Sequence, residues 1–313
     1  MKSLLSSAAL SLALFAPLVA QAQKIGLSMP ELDPFLTLLK NGVVEAGKQS
    51  GVTVLLEDAQ RDKARQIDQI AKLIAQKVDA IIVVPVDTNG TPKITSMATN
   101  ANIPLVYVNR KPNDFARLPS SVVLVASDEK VSGTLEAQEV CRLMNGKGNL
   151  LVLMGDLSNE AARTRTSDID EVLATSACSG IRVVDKRIGN WDRHRAKTIT
   201  SNILNAGKVN GKKLDAIIAN NDEMALGAIA ALKAAQLWTP EFVVAGIDAI
   251  PDALASMKAG ELKVTVFQNA EGQGGRAIES ALKLIKKQPV PRFVDVPFEL
   301  VTPANVGKYQ SKN

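Results

Sequence analysis

Polar residues able to do chemistry recur in this sequence at one kind of place, the loop that follows a run of β-forming residues. Asp33 and Phe35 follow the first such run, and Asn109-Arg110 follow Pro104–Val108. Arg163 comes after Asn149–Met154 and its loop, Trp191 after Ile181–Ile188, Asn221 after Ala216–Ala219, Asp248 after Phe242–Ala245, and Gln268 after Lys263–Phe267. Carboxylates accept hydrogen bonds, guanidinia donate them and amides do both, so the set is matched to hydroxyl groups. Phe35 and Trp191 add flat apolar faces that can pack on the C–H faces of a sugar or cyclic polyol. No glycine-rich phosphate cradle follows a strand, so a neutral, hydroxyl-rich ligand fits better than a phosphorylated one. Each residue also has a plainer reading. Asp33-Pro34 can be a helix N-cap and first helical residue, Asn221 and Asp222 can cap the next helix, Phe35 and Trp191 can be core, and Asp248 can be a turn residue before Pro251. Their common placement separates the two readings, because open α/β sheets bind ligands beyond the carboxyl ends of their strands.

Composition removes much other chemistry. One His and two Cys in 313 residues leave too few ligands for a multi-His or four-Cys metal site. The net charge of +5, from 37 Lys+Arg and 32 Asp+Glu, is spread along the chain and gives no basic stripe for nucleic acid. Asp33 and Asp248 could be imagined as a glycosidase carboxylate pair. A carbohydrate site needs carboxylates in any case, however, and there is no G-x-S-x-G nucleophile turn. His194, the one imidazole, lies between Arg193 and Arg195, a poor setting for a general base. The expectation is a protein that binds without reacting and carries no metal or cofactor.

The elements that would position these residues alternate. Lys24–Met29, Val52–Glu57, Asp79–Val86, Pro104–Val108 and Ser121–Ala126 read as strands separated by helical stretches. The same rhythm continues through a final strand over Phe293–Leu300. Asp79–Val86 is a continuous apolar run, as expected of a strand buried on both faces of a parallel sheet. With 46% apolar and 22% charged residues, the chain suits two doubly wound α/β domains better than one barrel. Ahead of them, Lys2 and the apolar stretch Leu4–Ala20, broken by serines and Pro17, read as a secretory signal peptide over residues 1–22. Cleavage is expected after Ala22, placing the protein in the periplasm. Export exposes Cys141 and Cys178 to an oxidising compartment, where they can pair or stay as two thiols.

The segment Asn221-Asp222-Glu223-Met224-Ala225-Leu226-Gly227-Ala228 resembles a motif of the periplasmic sugar-binding proteins of the ribose/galactose-binding type. Asp33-Pro34-Phe35, Asn109-Arg110, Ala162-Arg163, Gly246-Ile247-Asp248 and Val266-Phe267-Gln268 match in the same order along the mature chain. The resemblance implies a type I periplasmic binding protein: two Rossmann-like lobes, a three-crossing hinge, and one sugar or polyol in the cleft. It places Asp33, Phe35, Asn109 and Arg110 on the first lobe, Arg163, Trp191, Asn221 and Asp248 on the second, and Gln268 at a crossing, with Phe35 and Trp191 sandwiching the ring. The expected lobes are 24–126 with 269–296, and 127–268 with 297–313. The implied partners are an ABC permease and, as an alternative role, a chemoreceptor, the protein itself being a monomer. Sugar-responsive repressors share this core, but a signal peptide stands here where their DNA-binding segment would be. Three features depart from the family pattern: Asn109 replaces an aspartate, Leu36 replaces a second aromatic, and the first loop, with Pro30 and Glu31, is one residue shorter. Tyr107–Pro112 and Pro297–Val306 are similar to the inositol- and rhizopine-binding branch.

Overall fold

The computed structural model describes residues 22–207 and 213–312. The expected leader lies outside them apart from Ala22. The first sheet is parallel throughout, in the order β11-β5-β4-β3-β1-β2: Phe293–Asp295 (β11), Val122–Ala126 (β5), Leu105–Val108 (β4), Ala80–Val83 (β3), Lys24–Met29 (β1) and Thr53–Asp58 (β2). The second, also parallel, runs Gly180–Ile188 (β7), Lys147–Met154 (β6), Ala216–Ala219 (β8) and Val243–Ala245 (β9). Each sheet is the centre of one lobe.

Helices cover both faces of each sheet, which is why the central strands are apolar without alternation. Ile82, Val106 and Val108 pack with Leu39, Val43 and Ile278 of helices Pro34–Gln49 (α1) and Ala270–Ile285 (α9). Their neighbours Ile81, Val83, Leu105 and Tyr107 point the other way, among Ile70, Leu73 and Ile94 of Lys63–Ala75 (α2) and Thr91–Asn100 (α3). The second sheet is flanked by Glu129–Leu143 (α4) and Glu160–Leu173 (α5) on one side and by Arg193–Asn205 (α6) and Asp222–Ala234 (α7) on the other. Close approach of α1 and α9 depends on Gly42 and Gly274, where a β-carbon would strike the opposing backbone.

The chain passes between the lobes three times, at residues 126–129, 267–270 and 295–299. The last passage corrects the expected single strand Phe293–Leu300. Only Phe293–Asp295 joins the first sheet; Glu299–Val301 (β12) pairs antiparallel with Thr265–Phe267 (β10) beside the second. Pro297, with no N–H to donate, sits between the two pieces, after Val296 N–H makes a last bond to Ala126 O at 3.0 Å. The expected strand Asp79–Val86 is likewise shorter, pairing only over Ala80–Val83 before Pro85. Among the described residues no helix is long and apolar enough to cross a membrane.

Cys141, late in α4, and Cys178, in the turn before β7, are joined in a disulfide that closes a span of 37 residues. Both cysteines are buried, and the bond ties α4 to the edge strand of the second sheet. Loop closure of that length predicts that reduction lowers the unfolding free energy by about 2–4 kcal/mol. Urea titrations with and without reductant would measure it, and coincident transitions would show that the bond contributes nothing.

Candidate functional site

The carboxyl ends of both sheets face one another across a small cavity. Asp33, Phe35, Leu36, Asn109 and Arg110 line it from the first lobe. Asn159, Ala161, Arg165, Trp191, Asn221 and Asp248 line it from the second, and Gln268 lines it from the crossing after β10. Eight of the nine residues singled out in the sequence are gathered there. The ninth, Arg163, is not.

Local rules put most of these side chains in place. Asp33 caps α1, its Oδ1 accepting from Leu36 N–H at 2.7 Å, and Pro34 takes the first helical position. Asn221 caps α7 by accepting from Met224 N–H at 3.1 Å, while its Nδ2 reaches Trp191 O at 3.5 Å. Arg110 donates to Pro85 O at 3.0 Å and lies 3.8 Å from Glu31, which also pairs with Arg61. Asn109, Trp191 and Asp248 all have left-handed backbone, with φ of +68°, +63° and +128°. Such conformations cost energy in residues other than glycine and are held by their surroundings. Asp222 supplies one such constraint. Its carboxylate accepts from Thr265 Oγ1 at 2.8 Å and Ile250 N–H at 3.0 Å, fixing the turn that carries Asp248. The Trp191 indole lies so close on Gly155 that a β-carbon there would overlap the ring.

The sequence reading that put Arg163 in the site is corrected by the geometry of α5. On this helix Ala162, Arg165 and Ile169 form the buried face, and Arg163 lies off that stripe. Arg163 instead spans the mouth of the cleft. It donates to Leu157 O at 2.5 Å on its own lobe and to Asn113 Oδ1 at 3.0 Å on the other. Arg165, overlooked in the sequence, lines the cavity and is 4% exposed. It forms a two-pronged pair with Glu129 at 2.6 and 3.0 Å and donates to Asn220 O at 2.7 Å. The spacing of Ala162, Arg165 and Ile169 carried a signal for it, since one buried stripe at helical period contains a single guanidinium. Asn159 was also missed; it precedes α5, and its Oδ1 is buried with no hydrogen-bond partner among the described residues. The Trp191 Nε1 is a buried donor in the same condition.

Burial dominates the electrostatics. It pushes the Asp33 carboxyl up to about 6, against the Leu36 N–H and Arg110, with Glu31 adding to the rise. Asp248 is raised well above the carboxylate range by burial, which Arg165 opposes and Asp222 and Asp33 reinforce. No group of three or more His, Cys, Asp and Glu among the described residues is arranged to hold a metal ion. The cavity can therefore offer hydrogen bonds and apolar faces.

Known proteins resemble this chain in sequence and fold. Residues 25–289 match the family model described as a periplasmic binding protein domain. A protein of Rhizobium meliloti named for rhizopine binding is 51% identical over 296 residues, covering 94% of each chain. The ribose import binding protein of Bacillus subtilis is 31% identical, covering 89% of this chain and 87% of its own. The structure of an ABC transporter solute-binding protein from Bacillus halodurans with bound myo-inositol superposes with a TM-score of 0.86 at 37% identity, covering 93% of this chain and 98% of that one.

The raised Asp33 carboxyl has a consequence for ligand-free stability. An aspartate whose folded value of about 6 exceeds the unfolded 3.8 adds stability fully below the unfolded value, lost as pH rises through the folded one. Asp33→Asn keeps an N-cap oxygen for Leu36 N–H and cannot ionise. Its melting temperature relative to wild type should therefore climb between about pH 4 and pH 6 and level off above that. Thermal unfolding of both ligand-free proteins across that range measures the difference; a gap constant with pH would contradict the assignment.

Proposed function

The chain belongs to the periplasmic binding protein family, and we propose from that premise that its ligand is a cyclic polyol of the inositol class. It is a periplasmic solute-binding protein of the kind that serves ABC importers, a binding protein and not an enzyme. The observation that carries the ligand class is the cavity itself, in which carboxylate, amide and guanidinium groups from both lobes surround a space bounded by Phe35 and Trp191. A ring bearing hydroxyls around its edge meets such a shell on all sides. The unpartnered Asn159 Oδ1 and Trp191 Nε1 are one acceptor and one donor for ligand hydroxyls. A relative solved with bound myo-inositol supports a cyclic ligand.

Capture proceeds by closure. The lobes meet at the mouth, where Thr88 N–H and Oγ1 donate to Ser158 O at 3.3 and 3.0 Å and Arg163 reaches Asn113. A ligand touching both lobes binds the closed form better than the open one and shifts the population toward it. A missing hydroxyl leaves a buried partner unpaired, the source of specificity. On this reading the lobes divide as 24–126 with 269–296 and 127–268 with 297–313. The leader is removed after Ala22, the working unit is a monomer, and the closed form is what the permease, and any chemoreceptor, would read.

Titration calorimetry of the mature protein against myo-inositol, scyllo-inositol, ribose, galactose and xylitol tests the ligand class. Heat with an inositol, and tighter binding of it than of ribose or xylitol, is expected; heat with xylitol alone, or with none, would overturn the reading. Arg165→Ala should weaken binding of the responding polyol by about 100-fold or more. Arg163→Ala, outside the cavity, should cost less than about tenfold. The reverse order would return Arg163 to the site.

A further inference from the structure

Glu129 does not line the cavity, yet its position is unusual. It is the first residue of α4, at the end of the first passage between the lobes, and it is 6% exposed. Both its oxygens grip Arg165, and Oε2 also accepts from Ser132 Oγ at 3.0 Å. Arg165 in turn touches the other two passages. Its Nη2 donates to Gln268 Oε1 at 3.4 Å, on the second, and its guanidinium carbon lies 5.7 Å from the ring centre of Phe298, on the third. The same guanidinium is 5.8 Å from the Trp191 ring centre and lines the ligand cavity. One cation thus contacts all three connections and the cavity, and one carboxylate fixes its orientation.

We propose that Glu129 is a positioning residue that, through Arg165, sets the hinge and couples its angle to occupancy of the cavity. Planar guanidinium geometry is the reason. The two-pronged bond leaves Arg165 one orientation, and because α4 and α5 pack together on the second sheet, the charge pair turns with that lobe as one body and carries the guanidinium, with its contacts to Gln268 and Phe298, relative to the first lobe. Hinge opening therefore perturbs a group that a ligand touches, and a ligand that holds that group resists opening. An ordinary salt bridge elsewhere in the lobe would affect stability alone.

The test uses Glu129→Gln, which keeps shape but sets an amide N–H against a guanidinium N–H. Two quantities are read: the small-angle scattering profile of the ligand-free protein, and the affinity for myo-inositol. We expect the ligand-free radius of gyration to increase relative to wild type and myo-inositol affinity to fall by about 30-fold or more. Glu129→Asp should recover part of the loss. Affinity within about threefold of wild type, whatever the change in melting temperature, would make Glu129 a stability element only and overturn the proposal. The affinity arm rests on the ligand class proposed above. If wild type does not bind myo-inositol, that class fails while the scattering arm still decides, superimposable ligand-free profiles overturning the hinge role. If Glu129→Gln does not fold, Ser132→Ala, which removes the hydroxyl that donates to Glu129 O and Oε2, should shift the same two quantities in the same direction by less, and no shift in either would overturn it.

Discussion

Both faces of both sheets are covered by helices, and this governs where polar chemistry can occur. Ile81 and Ile82, adjacent in β3, bury into different cores on opposite sides of one sheet. A charged side chain at either position would be enclosed without water or partner, at a cost of several kcal/mol. Polar groups are therefore displaced to the strand ends. Where two such sheets are set with their carboxyl ends opposed, the displaced groups meet in one space. The binding cavity follows from how the cores are made.

Several features of that space are costly to hold. Asp33 and Asp248 are carboxyls raised by burial, and Asn159 and Trp191 present unpaired polar atoms. Asn109, Trp191 and Asp248 hold backbone conformations that non-glycine residues avoid. The surrounding network keeps these features in place. Asp222 pins the turn of Asp248, and Asn220 Oδ1 accepts from Gly155 N–H at 3.0 Å, under the Trp191 ring. Glu129 and Asn220 between them fix Arg165. Groups held in this way are already oriented when a ligand arrives, so less ordering opposes binding.

The three passages between the lobes belong to the same network. Arg165 is at once a wall of the cavity and a contact of each passage, so closing the cleft and filling it act on one side chain. At the mouth, Thr88, Ser158, Asn113 and Arg163 add contacts that exist only when the lobes are together. A clasp at the rim and a staple at the hinge bracket the ligand between them.

Alternation of apolar runs with amphipathic stretches is enough to favour two doubly wound α/β domains. The strand ends also marked Asp33, Phe35, Asn109, Arg110, Trp191, Asn221, Asp248 and Gln268, because those positions follow from chain-local rules of strand end and helix cap. Tertiary structure alone decided between Arg163 and Arg165, two residues apart on one helix, since which face of α5 turns inward depends on what α5 packs against. It also split the last strand at Pro297 and joined Cys141 to Cys178. The assembly around Arg165 is non-local in the same sense: Glu129, Gln268 and Phe298 are far apart in sequence and meet only because three passages converge there. Patterning within one element is written in the order of its residues; contacts between elements are set by packing, which that order does not display.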